Sequence, residues 1–329
     1  MLRSLATIAL VLATGVFVLL AFGAIHYQLL PPLRGFAIAA LCIAALSILW
    51  LRGNWGWLLL AVSMAVSLSL YHTIRPSNDR DWAPDVSRTV TGVRHGNFVT
   101  LSDVRDFVWQ TRDQGTERWV DLTVNLDDIQ TVDLFNSTWS SPLIAHTLIS
   151  FGLRNGNHIV FSGEIRREKG EVFSTYGGFF RRYELALIAA TERDIIFLRT
   201  NARREDVSLF PLDVTPAEAR EMFLAYVAMG NRLHAKPEFY NTLTANCTTI
   251  IWQLAHTVDG RLPFDWRILV SGRLPDYLIG RGLLYSDAPR ATILEDARIS
   301  GLAQAEAKPD RDYSTVIRSG KAQNLRPKP

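Results

Sequence analysis

"HTLISFGLRNGNHIVFSGEI", His146 to Ile165, is two runs of alternating apolar and polar residues around the turn signal Arg154-Asn155-Gly156-Asn157, and it reads as a β-hairpin. Thr147, Ile149, Phe151 and Leu153 make the largely apolar face of its first strand, and Ile159, Phe161 and Ile165 that of the second. A shared core face pairs Phe151 with Phe161, because a strand slipped by one residue would turn its apolar set to solvent. The same register places His146 and Glu164 together on the opposite face as diagonal neighbours. A histidine and a carboxylate share a site there before any catalytic role is assumed.

Strand-like alternation extends upstream of the hairpin in "FVTLSDVRDFVWQT" (98–111), "RWVDLTVNL" (118–126) and "IQTVDLFNSTW" (129–139). Downstream, "ERDIIFLRTN" (192–201) reads as a further strand, and then the period becomes helical. "TPAEAREMFLAYVAMGNRLH" (215–234) opens with Thr215 as N-cap, Pro216 in the first helical position and Glu218 three residues after the cap. A second helix follows from Cys247 to about His256, and "SGRLPDYLIGRGLL" (271–284) reads as a shorter one interrupted by proline. Strands followed by helices predict an α+β domain with an antiparallel sheet.

The chain of 329 residues is 48% hydrophobic and 20% charged, and its apolar residues concentrate at the start. Three blocks, Leu5 to Ile25, Gly35 to Leu51 and Trp55 to Ile74, have the length and composition of membrane spans. Trp55, Trp57 and Tyr71 are placed as interface residues. Arg3 and Arg52 on one side against Arg34 on the other favour an inside N terminus, so three spans leave the remainder outside the cytoplasm. The organisation expected is a membrane domain over 1–74, a linker over 75–88 rich in proline and charge, an extracytoplasmic domain over 89–302, and an exposed tail over 303–329. The net charge is +3 and the arginines are scattered among acids, so no nucleic-acid footprint is present.

Only two cysteines occur. Cys42 lies in the second span, which separates it by topology from Cys247 and leaves the latter a free thiol. In "EFYNTLTANCTTIIWQL" (238–254) the thiol stands at a helix start, where unpaired N–H groups and the helix dipole favour a thiolate and could hold an oxyanion. The competing reading is a buried packing cysteine, a common fate of free thiols. A nucleophilic cysteine needs a base. His158 flanks a turn, His234 ends a helix, His95 stands in a loop, and His256 is nine residues further along the same helix; His146 opens a strand and shares a face with Glu164. HExxH, paired CxxC, GxSxG and glycine-rich phosphate loops are absent.

The ordered motifs "SSPLIAHTLISFGL", "GEIRREKGE", "FFRRYELALIAATERDIIFLRTNAR", "VSLFPLDVTPAEAR" and "KPEFYNTLTANCTT", spanning about Ser140 to Leu254, resemble the extracytoplasmic domain of the DUF4105 family, whose studied members are Lnb-type lipoprotein N-acyltransferases. The resemblance implies a permuted papain-like (NlpC/P60-type) cysteine-enzyme fold, with the histidine first on a strand and the cysteine later at a helix start. It assigns the nucleophile to Cys247 and the base to His146; Glu164 is the choice for the third polar residue because the hairpin register places it beside His146. Asn246 and Thr248 flank the nucleophile at the expected oxyanion and substrate positions. The implied reaction moves the sn-2 acyl chain of a diacylglyceryl-cysteine to that cysteine's α-amino group, with no cofactor and no metal. Its partners would be bacterial lipoproteins and membrane lipid, and its place the bacterial inner membrane with the catalytic domain on the periplasmic side. Two other readings are a cell-wall cysteine peptidase or amidase, and a non-catalytic membrane-tethered binding module.

Overall fold

A computed structural model describes residues 2–306 and 312–326. The chain divides into two compact units, Met1–Ser77 with Phe173–Glu184, and Asn78–Val172 with Leu185–Pro329.

In the first unit, α1 (Leu2–Gln28), α2 (Pro31–Leu51) and α3 (Gly53–Thr73) are each long and apolar enough to cross a membrane. Leu10, Phe17, Leu41, Ile48 and Leu60 form their small shared core. Leu12, Leu19 and Phe36 point outward, 65%, 69% and 79% exposed. Such a surface would be unfavourable in water and suits hydrocarbon, since each helix satisfies its own backbone. The α2–α3 turn runs through Arg52 and Gly53 at φ of 52° and 44°. Gly56 then lets α3 approach α2 closely, as a Cβ there would stand 2.8 Å from the carbonyl oxygen of Ile48.

The second unit is built on a sheet of β1 (Thr91–His95), β2 (Phe98–Arg105), β5 (Trp119–Asn125), β6 (Ile129–Thr138), β7 (Ala145–Leu153), β8 (His158–Arg166), β9 (Glu184–Thr191) and β10 (Asp206–Pro211). The order is β1-β2-β9-β8-β7-β6-β10, with β5 paired to β2. A separate small ribbon joins β3 (Val108–Trp109) and β4 (Gly115–Thr116). The sheet is mixed rather than purely antiparallel, because β2 meets β9 in parallel at Arg105 and Ala190.

Both faces of this sheet are buried. Ile149, Phe151, Ile159 and Phe161 pack with Phe223 and Tyr226 of α5 (Pro216–Ala235) and Ile250 of α6 (Cys247–Val258). Leu148, Val160, Ala186 and Ile188 pack on the other face with Ile195, Ile196, Tyr313 and Ile317. Phe151, Phe161, Phe223 and Tyr226 form an aromatic cluster with centroids 5.0–5.9 Å apart, each such pair adding about 0.5–1.5 kcal/mol beyond area burial.

The hairpin forms with a register two residues from the expected one: Phe151 faces Ile159, and Ile149 faces Phe161. The Phe151–Phe161 contact survives as a diagonal ring pair. A shift of two keeps each side chain on its face, and the observed register carried along the strands sets His146 directly opposite Glu164.

Other expectations are corrected. "ERDIIFLRTN" is α4 (Glu192–Phe197) followed by a π-helical turn, Leu198–Ala202. Its short apolar run is consistent with either a strand or a helix. Buried polar partners fit the helix, since Asp194 accepts from Arg105, the Phe107 N–H and the Trp109 ring. The adjoining β9 carries no alternation to mark it, because it is buried along nearly its whole length. The proline-containing helix begins at its proline: after α7 (Trp266–Leu269), α8 (Leu274–Gly280) has Pro275 in its first turn. From Asn78 onward the expected linker belongs to the sheet unit, with Trp82, Ala83 and Val86 buried and the Arg166 guanidinium 4.5 Å above the Trp82 ring.

The expected exposed tail also differs. After α9 (Arg290–Asp296) come α10 (Ser300–Glu306) and α11 (Tyr313–Arg318), and Tyr313, Val316, Ile317, Ala322 and Leu325 are buried. Residues 307–311 and 327–329 of that stretch lie outside the described residues. Arg318 bonds both Asp133 and Glu192, whose side chains are 0% exposed. This clamp explains why a segment with few apolar residues packs at all: its arginines neutralise acids that the sheet has buried.

Candidate active site

Helix α6 begins at the thiol because Asn246 caps it. The Asn246 side-chain oxygen accepts from the N–H groups of Thr248 and Thr249, both at 2.9 Å, and Thr249 Oγ1 accepts from the Asn246 N–H at 2.9 Å. This reciprocal capping box contributes about 1 kcal/mol and fixes where the helix starts. Asn246 Nδ2 donates to the Thr242 carbonyl at 2.6 Å. The Asn246 side chain and the amides of Asn246 and Thr248 are therefore occupied. The Cys247 N–H, first in the helix, makes no hydrogen bond among the described residues. Of the expected oxyanion donors, it is the one left available.

Cys247 is 7% exposed. Its Sγ lies 3.9 Å from the Ala145 carbonyl oxygen at the start of β7 and 3.8 Å from Thr248 Oγ1. Thr248 Oγ1 in turn meets Thr147 Oγ1 at 3.1 Å, tying the helix start to that strand. Gly163 of β8 provides the close approach, since a Cβ there would stand 2.9 Å from Ile250 Cδ1 and 3.7 Å from Cys247 Cα.

His146 and Glu164 come together across the hairpin. His146 Nε2 stands 3.0 Å from Glu164 Oε1 and 2.7 Å from Ser162 Oγ, and Ser162 Oγ donates to the same carboxylate oxygen at 2.8 Å. With Nε2 engaged, Nδ1 is the ring nitrogen left for the thiol. Arg199, in the π-helical turn after α4, donates from Nη2 to Glu164 Oε1 at 3.1 Å. Its side chain is 6% exposed, as expected of a cation enclosed with its partners.

The electrostatics separate thiol and imidazole in the useful sense. Burial pushes the Cys247 thiol up, but the charge of His146, with the neighbouring polar groups of Thr147, reverses this and brings it to about 7. Burial and the Arg199 charge push His146 down; the charges of Glu164 and Cys247 outweigh them and raise it to about 9. Burial likewise opposes ionisation of Glu164, yet His146 and Arg199 hold it well below the usual carboxylate range. The thiol thus releases its proton more readily than the imidazolium does, and a thiolate–imidazolium pair is the favoured form between these values.

The constellation therefore holds a buried thiol, an imidazole touching a carboxylate, and a free amide. Sequence reasoning missed Arg199, which lay in a segment read as a strand, and Ser162, which carries no motif. It also missed Tyr240, seven residues before the thiol, whose phenol is kept neutral by burial and by the charges of Cys247 and Glu164. Among the described residues no group of three His, Cys, Asp or Glu side chains is arranged to hold a metal ion. His158, beside the hairpin turn, has a side chain only 12% exposed and lies 4.0 Å from Glu192.

Residues 115–272 match the family described as the Lnb N-terminal periplasmic domain, the family that the sequence motifs resemble. No curated protein and no solved structure shows a match. The matched stretch contains His146, Ser162, Glu164, Arg199 and Cys247.

Proposed function

We propose that this membrane-anchored chain, with its Lnb-type periplasmic domain, is a cysteine-dependent lipoprotein N-acyltransferase of permuted papain-like design. The chain would cross the bacterial inner membrane three times and act on the periplasmic side. The observation that carries this reading is the thiol at a capped helix start, electrostatically coupled to an imidazole whose far nitrogen touches a carboxylate. The histidine precedes the cysteine in the chain and stands on a strand, which is the order a permuted papain-like enzyme requires.

The Cys247 thiolate attacks the sn-2 ester carbonyl of a diacylglyceryl-cysteine, and the Cys247 N–H stabilises the developing oxyanion. The ester C–O bond breaks, the departing alkoxide takes the proton from His146, and a thioester remains on Cys247. The substrate's α-amine then attacks the thioester, His146 accepts the amine proton, and the thiolate leaves. Glu164 and Ser162 hold the imidazole through Nε2 during both halves.

Exposed apolar side chains next to the thiol favour a lipid substrate over a cell-wall peptide. Leu143 and Ile144, 46% and 41% exposed, precede the Ala145 carbonyl that approaches Sγ. Ser271 bonds the Ala145 amide at 2.8 Å, and the short helix before it exposes Trp266 and Leu269. Mass spectrometry of lipoprotein N-termini from cells carrying the wild-type chain or Cys247→Ser is the test. Transfer predicts a lyso-form N-acylated terminus with the wild-type chain alone; identical acyl placement in both would overturn the reading.

A further inference from the structure

The segment Phe173–Glu184 connects two strands of the sheet, yet it packs with the three spans. Its partners lie at the C-terminal ends of α1 and α3. The Phe180 ring stacks on Tyr27 at 5.6 Å, the Phe180 carbonyl accepts from Gln28 Nε2, and Ser174 Oγ meets the Tyr27 hydroxyl at 3.0 Å. Arg182 donates to the Tyr27 carbonyl at 2.9 Å. On α3, Arg181 donates to the Tyr71 carbonyl at 2.9 Å and lies 4.5 Å above the Tyr71 ring. Gly23 is shaped for this contact, because a Cβ there would come within 2.2 Å of the Phe180 ring.

These contacts fix the depth of the segment. Gly23 is five residues before the end of α1, so Phe180 reaches roughly 7–8 Å down that helix at ~1.5 Å per residue. A helix of 27 residues is about 40 Å long against a hydrocarbon core of ~30 Å, which puts Phe180 near the boundary between acyl chains and headgroups. The rest of the segment suits that layer. Phe173, Tyr176 and Phe179 are 52%, 71% and 38% exposed, and Arg181 and Arg182 stand beside them. At the opposite end of the spans, the junction of α2 and α3 supplies its own exposed aromatics, Trp50, Trp55 and Trp57. At the end where the chain leaves α3, the spans offer Tyr27 and Tyr71, and both are engaged by this segment.

We infer that Phe173–Glu184 is an interfacial foot whose partner is the lipid bilayer at the C-terminal ends of α1 and α3, with Phe173, Tyr176 and Phe179 bedded in the headgroup–acyl boundary. It completes the aromatic belt on that side of the membrane and adds a second attachment between sheet and bilayer, besides the covalent exit from α3. The foot does not depend on the catalytic reading and would hold for a binding module as well.

The test uses the full chain, free of its native thiols through Cys42→Ala and Cys247→Ala, in phosphatidylethanolamine–phosphatidylglycerol nanodiscs. Nitroxide labels are placed singly through Tyr176→Cys and Phe179→Cys, with Leu12→Cys as a mid-span reference and Asn155→Cys at the hairpin turn as an aqueous one. All four sites are exposed and Phe180 is left in place, so labelling does not disturb the packing. Power-saturation measurements against oxygen and a nickel chelate should put the labels at 176 and 179 between the two references. Labels at both positions as accessible to the chelate as the one at 155 would overturn the proposal.

Discussion

Arg199 Nη2 and His146 Nε2 converge on one oxygen of Glu164, at 3.1 and 3.0 Å. A carboxylate between a permanent cation and a titrating one stays ionised and fixed in orientation, so the imidazole always finds its partner. The arginine also repels the imidazolium, which limits how far His146 is raised.

Replacing Arg199 with Met should therefore move the alkaline limb of activity upward from about 9, because a charge that pushes His146 down is lost. The same change leaves Glu164 and Glu205 short of a buried partner and should cost about 3–5 kcal/mol of stability. Urea unfolding and a pH profile measured on the same protein would separate the two effects.

Glu164→Gln should act in the opposite sense on the imidazole. Glu164 raises His146, so the imidazolium is present below about 9 and is lost as pH rises through that value. Without the carboxylate this limb moves to lower pH, and a thiol no longer facing imidazolium should titrate above 7. Alkylation of Cys247 by iodoacetamide against pH, in a Cys42→Ala background, reads the thiol directly. Turnover should fall about 100-fold, the low end for general acid–base catalysis.

Asn246→Ala removes the acceptor of two helix N–H groups and should cost about 1–2 kcal/mol. Asn246→Asp keeps the cap and should recover that stability, but it sets a negative charge beside the thiolate. The two variants should thus differ in melting temperature, while the alkylation midpoint of the Asp form lies above that of the wild type.

Arg318→Met tests the C-terminal clamp. Burial pushes Glu192 up, but Arg318 and His158 pull it down to about 2, so its contribution to stability is present above its ordinary value near 4.5 and is lost as pH falls through about 2. Removing the guanidinium should return Glu192 toward its ordinary range and start acid unfolding at higher pH. The expected loss at neutral pH is about 3–5 kcal/mol, measurable by urea titration followed by circular dichroism.

Local patterns in the sequence were enough for the three long apolar helices, the hairpin, the start of α5 and the start of α6, because each rests on neighbours a few residues apart. An uncharged apolar run dictates a long apolar helix, Asn-Gly dictates a turn, and Thr215 with Glu218 dictates a helix start. The faces of the hairpin were legible for the same reason, so His146 and Glu164 were placed on one side although the register was two residues off.

Tertiary structure alone decided what depends on distant partners. It buried both faces of the sheet, turned "ERDIIFLRTN" into a helix through Asp194 and its donors, and ordered the C-terminal segment through Arg318. It also brought Arg199 to Glu164 and sent Phe173–Glu184 to the ends of α1 and α3. Each of these rests on charges or rings far apart in the chain, whose pairing has no local period. The thiol, imidazole and carboxylate are legible in the local order of the chain; the charges that surround them, and so the pH at which the thiol is a thiolate, are set by the fold.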